Sequence, residues 1–305
     1  MRRIVLSLLL IPFVAGAALI VTSAVSGSPG PVDPGTPQPF VAAGLTSTGE
    51  LVGFASNDPK NFTTIGPITS LQGDQKVVGI DCRVSNATVY GVGDRGGIYT
   101  LDLQTAAATK VSQLTVALNG TSFGVDFNPA ANRLRVVSDT GQNLRHNLDD
   151  PNGMPAMGQT VADTQLKAPP AAEVAKGVTG VAYYNNDQDP ATATTLFALD
   201  TMLDQITIQS PANAGSLAPT GKLGVDAQGD AGFDIHYDAD APTTTNHSRG
   251  IAALNVGGAY HLYDIELLTG RATLIGDFPQ GQQIIDLTTG FRRGEIEGIV
   301  LAEGY

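Results

Sequence analysis

The chain is predicted to be an all-β protein folded as a β-propeller, and three observations carry that reading. From Phe40 onward, apolar residues come in short bursts broken by Gly, Asn, Asp and Pro, and no stretch shows the three-and-four spacing of an amphipathic helix. The 36 Gly and 18 Pro supply the turns that many short strands require. A phrase of glycine, apolar residue and often an acid then recurs as Gly79-Ile80-Asp81, Gly124-Val125-Asp126, Gly180-Val181-Ala182, Gly232-Phe233-Asp234 and Gly298-Ile299-Val300. Its spacings of 45, 56, 52 and 66 residues approach the length of one four-stranded blade with loops.

In chain order, residues 1–24 read as a signal peptide: Met1-Arg2-Arg3, an apolar run over residues 4–21, then Thr22-Ser23-Ala24 as a cleavage site. An uncleaved N-terminal membrane anchor is the alternative, since an almost wholly apolar run of 18 residues just suffices to cross a bilayer, although Pro12 interrupts it. Residues 25–39 are a Pro/Gly-rich linker without periodicity, and residues 40–305 form the propeller domain.

Within that domain, the segment after Gly79 reads as one complete blade, with strands at residues 88–92, 97–102 and 109–113. The first segment, residues 41–46, 50–54 and 62–66, lacks the glycine phrase, whereas the copy at residues 297–301 ends the chain with no strand after it. If that last strand is the inner strand of the first blade, the ring closes with five blades and no bare edge. Six blades are the alternative, should residues 284–287 be an inner strand of their own.

The formal net charge is −12, and loss of residues 1–24, which hold two Arg and no acid, makes it −14. Such a surface repels phosphate backbones and excludes nucleic acid as a partner. Cys82 is the only cysteine, so no internal disulfide is available, and it reads as a small buried apolar side chain.

The segments Gly120-Thr-Ser-Phe-Gly-Val-Asp-Phe-Asn-Pro129 and Asn132-Arg-Leu-Arg-Val-Val-Ser-Asp-Thr-Gly-Gln-Asn-Leu-Arg145 are too particular to be generic strand and turn. With Gly97-Ile-Tyr-Thr-Leu-Asp102, Leu223-Gly-Val-Asp226 and Thr269-Gly-Arg-Ala-Thr-Leu-Ile-Gly276, the chain resembles domain of unknown function family 4394, exported bacterial proteins. The resemblance runs from about Phe40 to Leu301. It implies a propeller-like fold and export, and supplies no activity or catalytic residues.

Candidate chemistry is sparse. Ser122 in Gly120-Thr-Ser-Phe-Gly124 matches the nucleophile-elbow spacing, but a strand follows where the elbow needs a helix. His146, His236, His247 and His261 are scattered singly, without zinc-ligand spacing. Oxygen-rich loops at Asp149-Asp150-Pro-Asn152, Asn185 to Asp189 and Asp238-Ala-Asp240 could supply calcium ligands, although none matches an EF-hand, and turn-forming explains them equally well. Asp81, Asp126 and Asp234 occupy equivalent inner-strand positions. Converging on the axis, they could bind a cation or perform acid and base work on a glycoside, or each could bond backbone at a blade junction.

Arg133, Arg135 and Arg145 cluster beside Asp139 and Asn143 and form the candidate ligand-binding set. Arg133 and Arg135 share a strand face, with Asp126 or Asp139 as expected ion-pair partners. The function expected is a secreted or surface-tethered propeller that binds an extracellular ligand, glycan or protein, without chemistry and without a required cofactor. A carbohydrate-active hydrolase using the inner-strand acids and a structural surface module are the alternatives. Membrane contact is expected only through an uncleaved N-terminal segment.

Overall fold

A computed structural model of the chain describes residues 38–171, 173–187, 189, 191–238, 248–291 and 294–296. The leader, nearly all of the linker, His247, Asp240 and residues 297–301 lie outside these. Among the described residues there is no α-helix; a single 3-10 turn, Ala212–Ala214, interrupts the strands.

Among the described residues, twenty strands form five antiparallel four-stranded sheets. Blade two is β4 (Val77–Arg83), β5 (Thr88–Gly93), β6 (Gly97–Leu101) and β7 (Ala108–Gln113). Blade three is β8 (Phe123–Asn128), β9 (Arg133–Ser138), β10 (Asn143–His146) and β11 (Thr160–Ala162). Blade four is β12 (Val178–Tyr183), β13 (Leu196–Asp200), β14 (Gln205–Gln209) and β15 (Leu217–Lys222). Blade five is β16 (Ala227–Tyr237), β17 (Ser248–Val256), β18 (Ala259–Ile265) and β19 (Ala272–Asp277). Blade one joins β1 (Val41–Thr46), β2 (Glu50–Ala55) and β3 (Asp58–Pro67) to a strand from the far end of the chain, β20 (Ile284–Thr288).

Five blades and closure by a C-terminal strand are as the sequence predicts; the residues that close are not the ones it suggested. β20 pairs with β1 through Gly44 opposite Leu287 and Leu45 opposite Asp286, so residues 284–288 are the inner strand of blade one and begin no sixth blade. Residues 297–301 attracted the assignment because they carry the glycine phrase, and they lie outside the described residues.

Inner strands touch in a closed circuit, β4 to β8 to β12 to β16 to β20 and back to β4. Each blade packs both faces on its neighbours, which explains why β4 and β12 are buried at every position whereas the outermost β7 alternates between exposed and half-buried positions after a buried Ala108. Instead of one central core there are five, one at each blade interface. Leu45, Leu51, Ile80 and Tyr99 fill the one between blades one and two, for example, and Phe54, Ile251, Leu262 and Phe278 the one between five and one.

The recurring glycine is a point of close backbone approach in this packing. A Cβ on Gly124 would stand 2.7 Å from the Val181 amide nitrogen, and one on Gly232 would stand 2.8 Å from the Leu287 nitrogen. Both clashes are with neighbouring backbone, so no side-chain rotation relieves them. Gly124→Ala is therefore expected to lower stability by about 1 to 3 kcal/mol, measured by chemical denaturation. Truncation after Gln283 should abolish the cooperative transition altogether, because the inner edge of blade one is then unpaired. A truncated chain that melts like the parent would refute this closure.

Candidate functional site

Where the inner strands meet, four of the five carry an aspartate: Asp81 on β4, Asp126 on β8, Asp234 on β16 and Asp286 on β20. Blade four has Ala182 at this position. All four carboxyls are buried, and most reach to the backbone of the next blade. Asp286 Oδ2 accepts the Ile80 N–H at 2.8 Å, Asp81 Oδ2 the Phe127 N–H at 2.8 Å, and Asp234 Oδ2 the Thr289 N–H at 2.7 Å. The Tyr183 N–H of blade four is the backbone donor that partly opposes the rise of the Asp126 carboxyl. In that register an acid at position 182 would take the Ile235 N–H, which Asp234 Oδ1 accepts instead. Thr288 ties the seam further, accepting the Cys82 N–H and donating to Asp81 Oδ1.

One carboxylate oxygen from each of Asp81, Asp126 and Asp234 lies within 4.8 Å of the other two, and no ion pair among the described residues involves any of the four acids. Burial, reinforced by the mutual repulsion of these acids, pushes Asp81 and Asp126 well above the ordinary carboxylate range; burial likewise raises Asp234 and Asp286. The Cys82 thiol, buried beside them, is pushed up by the same two causes. Asp81, Asp126 and Asp234 are only 3, 1 and 2 % exposed.

The arginine cluster is partly assembled as expected. Arg133, Arg135 and Arg145 line one cavity of about 290 Å³ with Met154, Tyr183 and Asn213, between blades three and four. Their counter-ions differ from those the sequence suggested. Asp126 does sit opposite Arg135 in register, yet Arg135 Nη1 donates to Asp163 Oδ2 at 2.8 Å and to Asn143 Oδ1 at 2.7 Å, while Nη2 reaches Asn213. Arg145 shares Asp163, and Arg133 pairs with Asp150 at 2.8 Å. Asp139 takes no part: it accepts from the Thr121 N–H and hydroxyl at the β9–β10 turn. Asp163 was missed because it follows β11, a three-residue strand that leaves almost no alternation to read.

Oxygen-rich loops turn out to be occupied locally. Asp149 forms two hydrogen bonds with Arg83, Asp150 belongs to Arg133, and Asp187 and Asp189 accept backbone N–H groups two residues on. Ser122 is followed directly by β8, so the elbow context is lacking. His146 is enclosed between the Ser112 and Thr160 hydroxyls at 3.0 Å each, and burial lowers it to about 4. His236 stacks on Phe40, and His261 meets Asp277.

A second concavity, of about 570 Å³, opens between blades four and five, on the same side of the ring as the arginine cavity. Phe197, Ile208, Ile265 and Leu267 form its apolar lining, and Tyr184, Thr195, Glu266 and Arg271 are among its polar members. Arg249 and Asp264 pair across its wall, and Arg271 and Glu266 at its rim, at 3.3 Å. Sequence patterning gave no sign of it, since its residues come from five separate segments.

Fold and axis together define a five-bladed propeller whose inner strands are tied by buried acids. The chain belongs to the family described as Domain of unknown function (DUF4394), whose model matches residues 50–288. No curated protein sequence matches it. Among solved structures it is similar to a structural genomics protein of unknown function from Bacteroides thetaiotaomicron, at 14% identity and TM-score 0.45, over 82% of this chain and 65% of that one. It is also similar to an auxiliary nutrient binding protein from Bacteroides ovatus (11%, TM-score 0.41, 70% of this chain and 56% of that one). A chain of a Nidogen/Laminin complex is similar at 10% identity and TM-score 0.45, over 83% of this chain and 100% of that one. The chain thus spans less than two thirds of the length of the two Bacteroides proteins.

Arg135 and Asp163 are both nearly sealed from solvent, at 2 and 6 % side-chain exposure, so Arg135→Ala should cost about 3 to 5 kcal/mol by leaving a buried carboxylate unpaired. Adding Asp163→Asn should recover part of that loss in the same denaturation assay; an Arg135→Ala protein as stable as the parent would dismiss the network. For the axial acids the sign runs the other way from an ordinary ion pair. A carboxyl raised in the folded state contributes fully below its unfolded value, near 3.8, and the contribution is lost as pH climbs through the raised value. In chelator-containing buffer, the melting temperature of Asp126→Asn relative to the parent should therefore rise as pH is increased from about 4.

Proposed function

We propose that this chain is an exported, non-catalytic binding propeller whose ligand seats in the cleft between blades four and five. The observation that carries the reading is a contrast. Among the described residues the acids that converge at the axis are sealed, and Asp81, Asp234 and Asp286 accept backbone N–H groups, while a solvent-open cleft elsewhere joins an apolar floor to a charged rim. Leu268, at its edge, is 73 % exposed, and Arg271 extends into solvent beside it. Apolar lining with hydroxyl, guanidinium and carboxylate groups at the edge suits an extracellular glycan or a protein segment, and the acidic surface speaks against nucleic acid. The arginine cavity is a weaker seat, because Asp150, Asp163, Asn143 and Asn213 already occupy its guanidinium groups.

The test is a glycan array and a panel of glycoside hydrolase substrates on the purified chain, repeated with Leu268→Glu and Arg271→Ala. Binding that falls at least about tenfold in both variants, with unchanged melting temperature and no turnover, is the expected result, since one hot-spot side chain is worth about 1.4 kcal/mol or more. Turnover that disappears in Asp126→Asn would favour the hydrolase instead. Expressed with its own leader in a bacterial host, the protein should carry a mature N-terminus near Val25; an intact Met1 on membrane-bound material would favour the anchor.

A further inference from the structure

We propose that Asp81, Asp126 and Asp234 hold one calcium ion at the centre of the ring, as a structural pin. Two independent observations meet there. The three carboxylates each offer an oxygen within 4.8 Å of the others, a spread that fits inside a calcium shell about 4.6 to 5.2 Å across. The second concerns hydrogen bonding at the axis. Both oxygens of Asp81 accept from Phe127 and Thr288, both of Asp234 from Ile235 and Thr289, and both of Asp286 from Ile80 and Leu287. Asp126 Oδ1 has no hydrogen-bond partner among the described residues, although its residue is 1 % exposed. A sealed anionic oxygen without a donor costs several times what an exposed one does, and its residue is one of the three whose carboxylates converge.

A divalent ion resolves both problems at once. It offsets two negative charges that no arginine or lysine among the described residues pairs with, and it gives Asp126 Oδ1 a partner while each neighbouring oxygen keeps its hydrogen bond on its other lone pair. The donors are all hard carboxylate oxygens with no imidazole among them, which selects calcium over zinc; magnesium, which holds its waters and demands a near-ideal octahedron, suits an enclosed site less well. The role is purely structural: by joining inner strands of blades two, three and five, the ion would hold the ring shut from within. This inference does not depend on the cleft between blades four and five.

Because the site is sealed, the full chain is unfolded in chelator and refolded either with chelator or with about 1 mM calcium, then dialysed, analysed for metal and melted. One calcium per chain and a melting temperature about 5 to 10 °C higher in the calcium arm are expected, with magnesium giving clearly less. Asp126→Asn should lose both the bound calcium and the shift while still folding, since its amide oxygen can accept the Tyr183 N–H. Asp187→Asn, in an oxygen-rich surface loop, should keep both. A parent protein that binds no calcium and melts identically in the two arms overturns the proposal whatever the variants do. So does a calcium shift that survives Asp126→Asn or vanishes in Asp187→Asn.

Discussion

Five twisted sheets can surround an axis only if their inner strands approach nearly to backbone contact, and everything else in this molecule follows from how that approach is made. Glycine removes the side chain that would hold neighbouring strands apart, as at Gly124 against Val181 and Gly232 against Leu287. Two residues later an aspartate reaches across and accepts an amide N–H that no ladder would otherwise satisfy. The phrase that marks the repeat in the sequence is therefore one device in two parts, closeness from the glycine and cohesion from the acid. Its cost is the confinement of like charges in a dry space, which must be met by protons or by an ion.

Away from the axis the same chain manages charge differently. Arginines are few, and the ones that cluster are each matched to a carboxylate from a different segment: Arg83 to Asp149, Arg133 to Asp150, Arg135 and Arg145 to Asp163. Arg83 also lies over the rings of Tyr90 and Phe127, at 5.9 and 5.5 Å. These contacts fasten the loop between β10 and β11 to blades two and three, so that residues resembling a metal-binding loop are in fact counter-ions. Blade four, which alone lacks the axial acid, is flanked on one side by the arginine cavity and on the other by the open cleft.

Much of this was legible before any coordinates. Fold, blade number, the strands of blade two and three of the four axial acids all follow from one recurring phrase. Asp286 escaped because β20 begins Ile284-Ile285-Asp286, with isoleucine where the other inner strands have glycine, while residues 298–300 carried the glycine without the acid. Asp163 and Asn213 escaped for a different reason: ion pairing across 28 residues and a hydrogen bond across 78 depend on where loops come to rest, which alternation of side chains does not encode. Clefts between blades are the extreme case, since their walls are defined only once the ring exists.

Ring closure by β20 also sets an order of events during synthesis. Blades two to five are each contiguous and can pair as soon as they emerge, but β1 must wait for a partner more than two hundred residues away in the chain. Until then the edge at Gly44 and Leu45 stays unpaired, the Ile80 and Cys82 amides lack the acceptors that bridge 206 residues, and the contacts made first are the local ones. Folding of the nascent chain can thus advance blade by blade without becoming committed, and the final lock depends on the emergence of residues 284–288. A ribosome stalled before residue 284 would hold an open, aggregation-prone arc of sheets, not a smaller propeller.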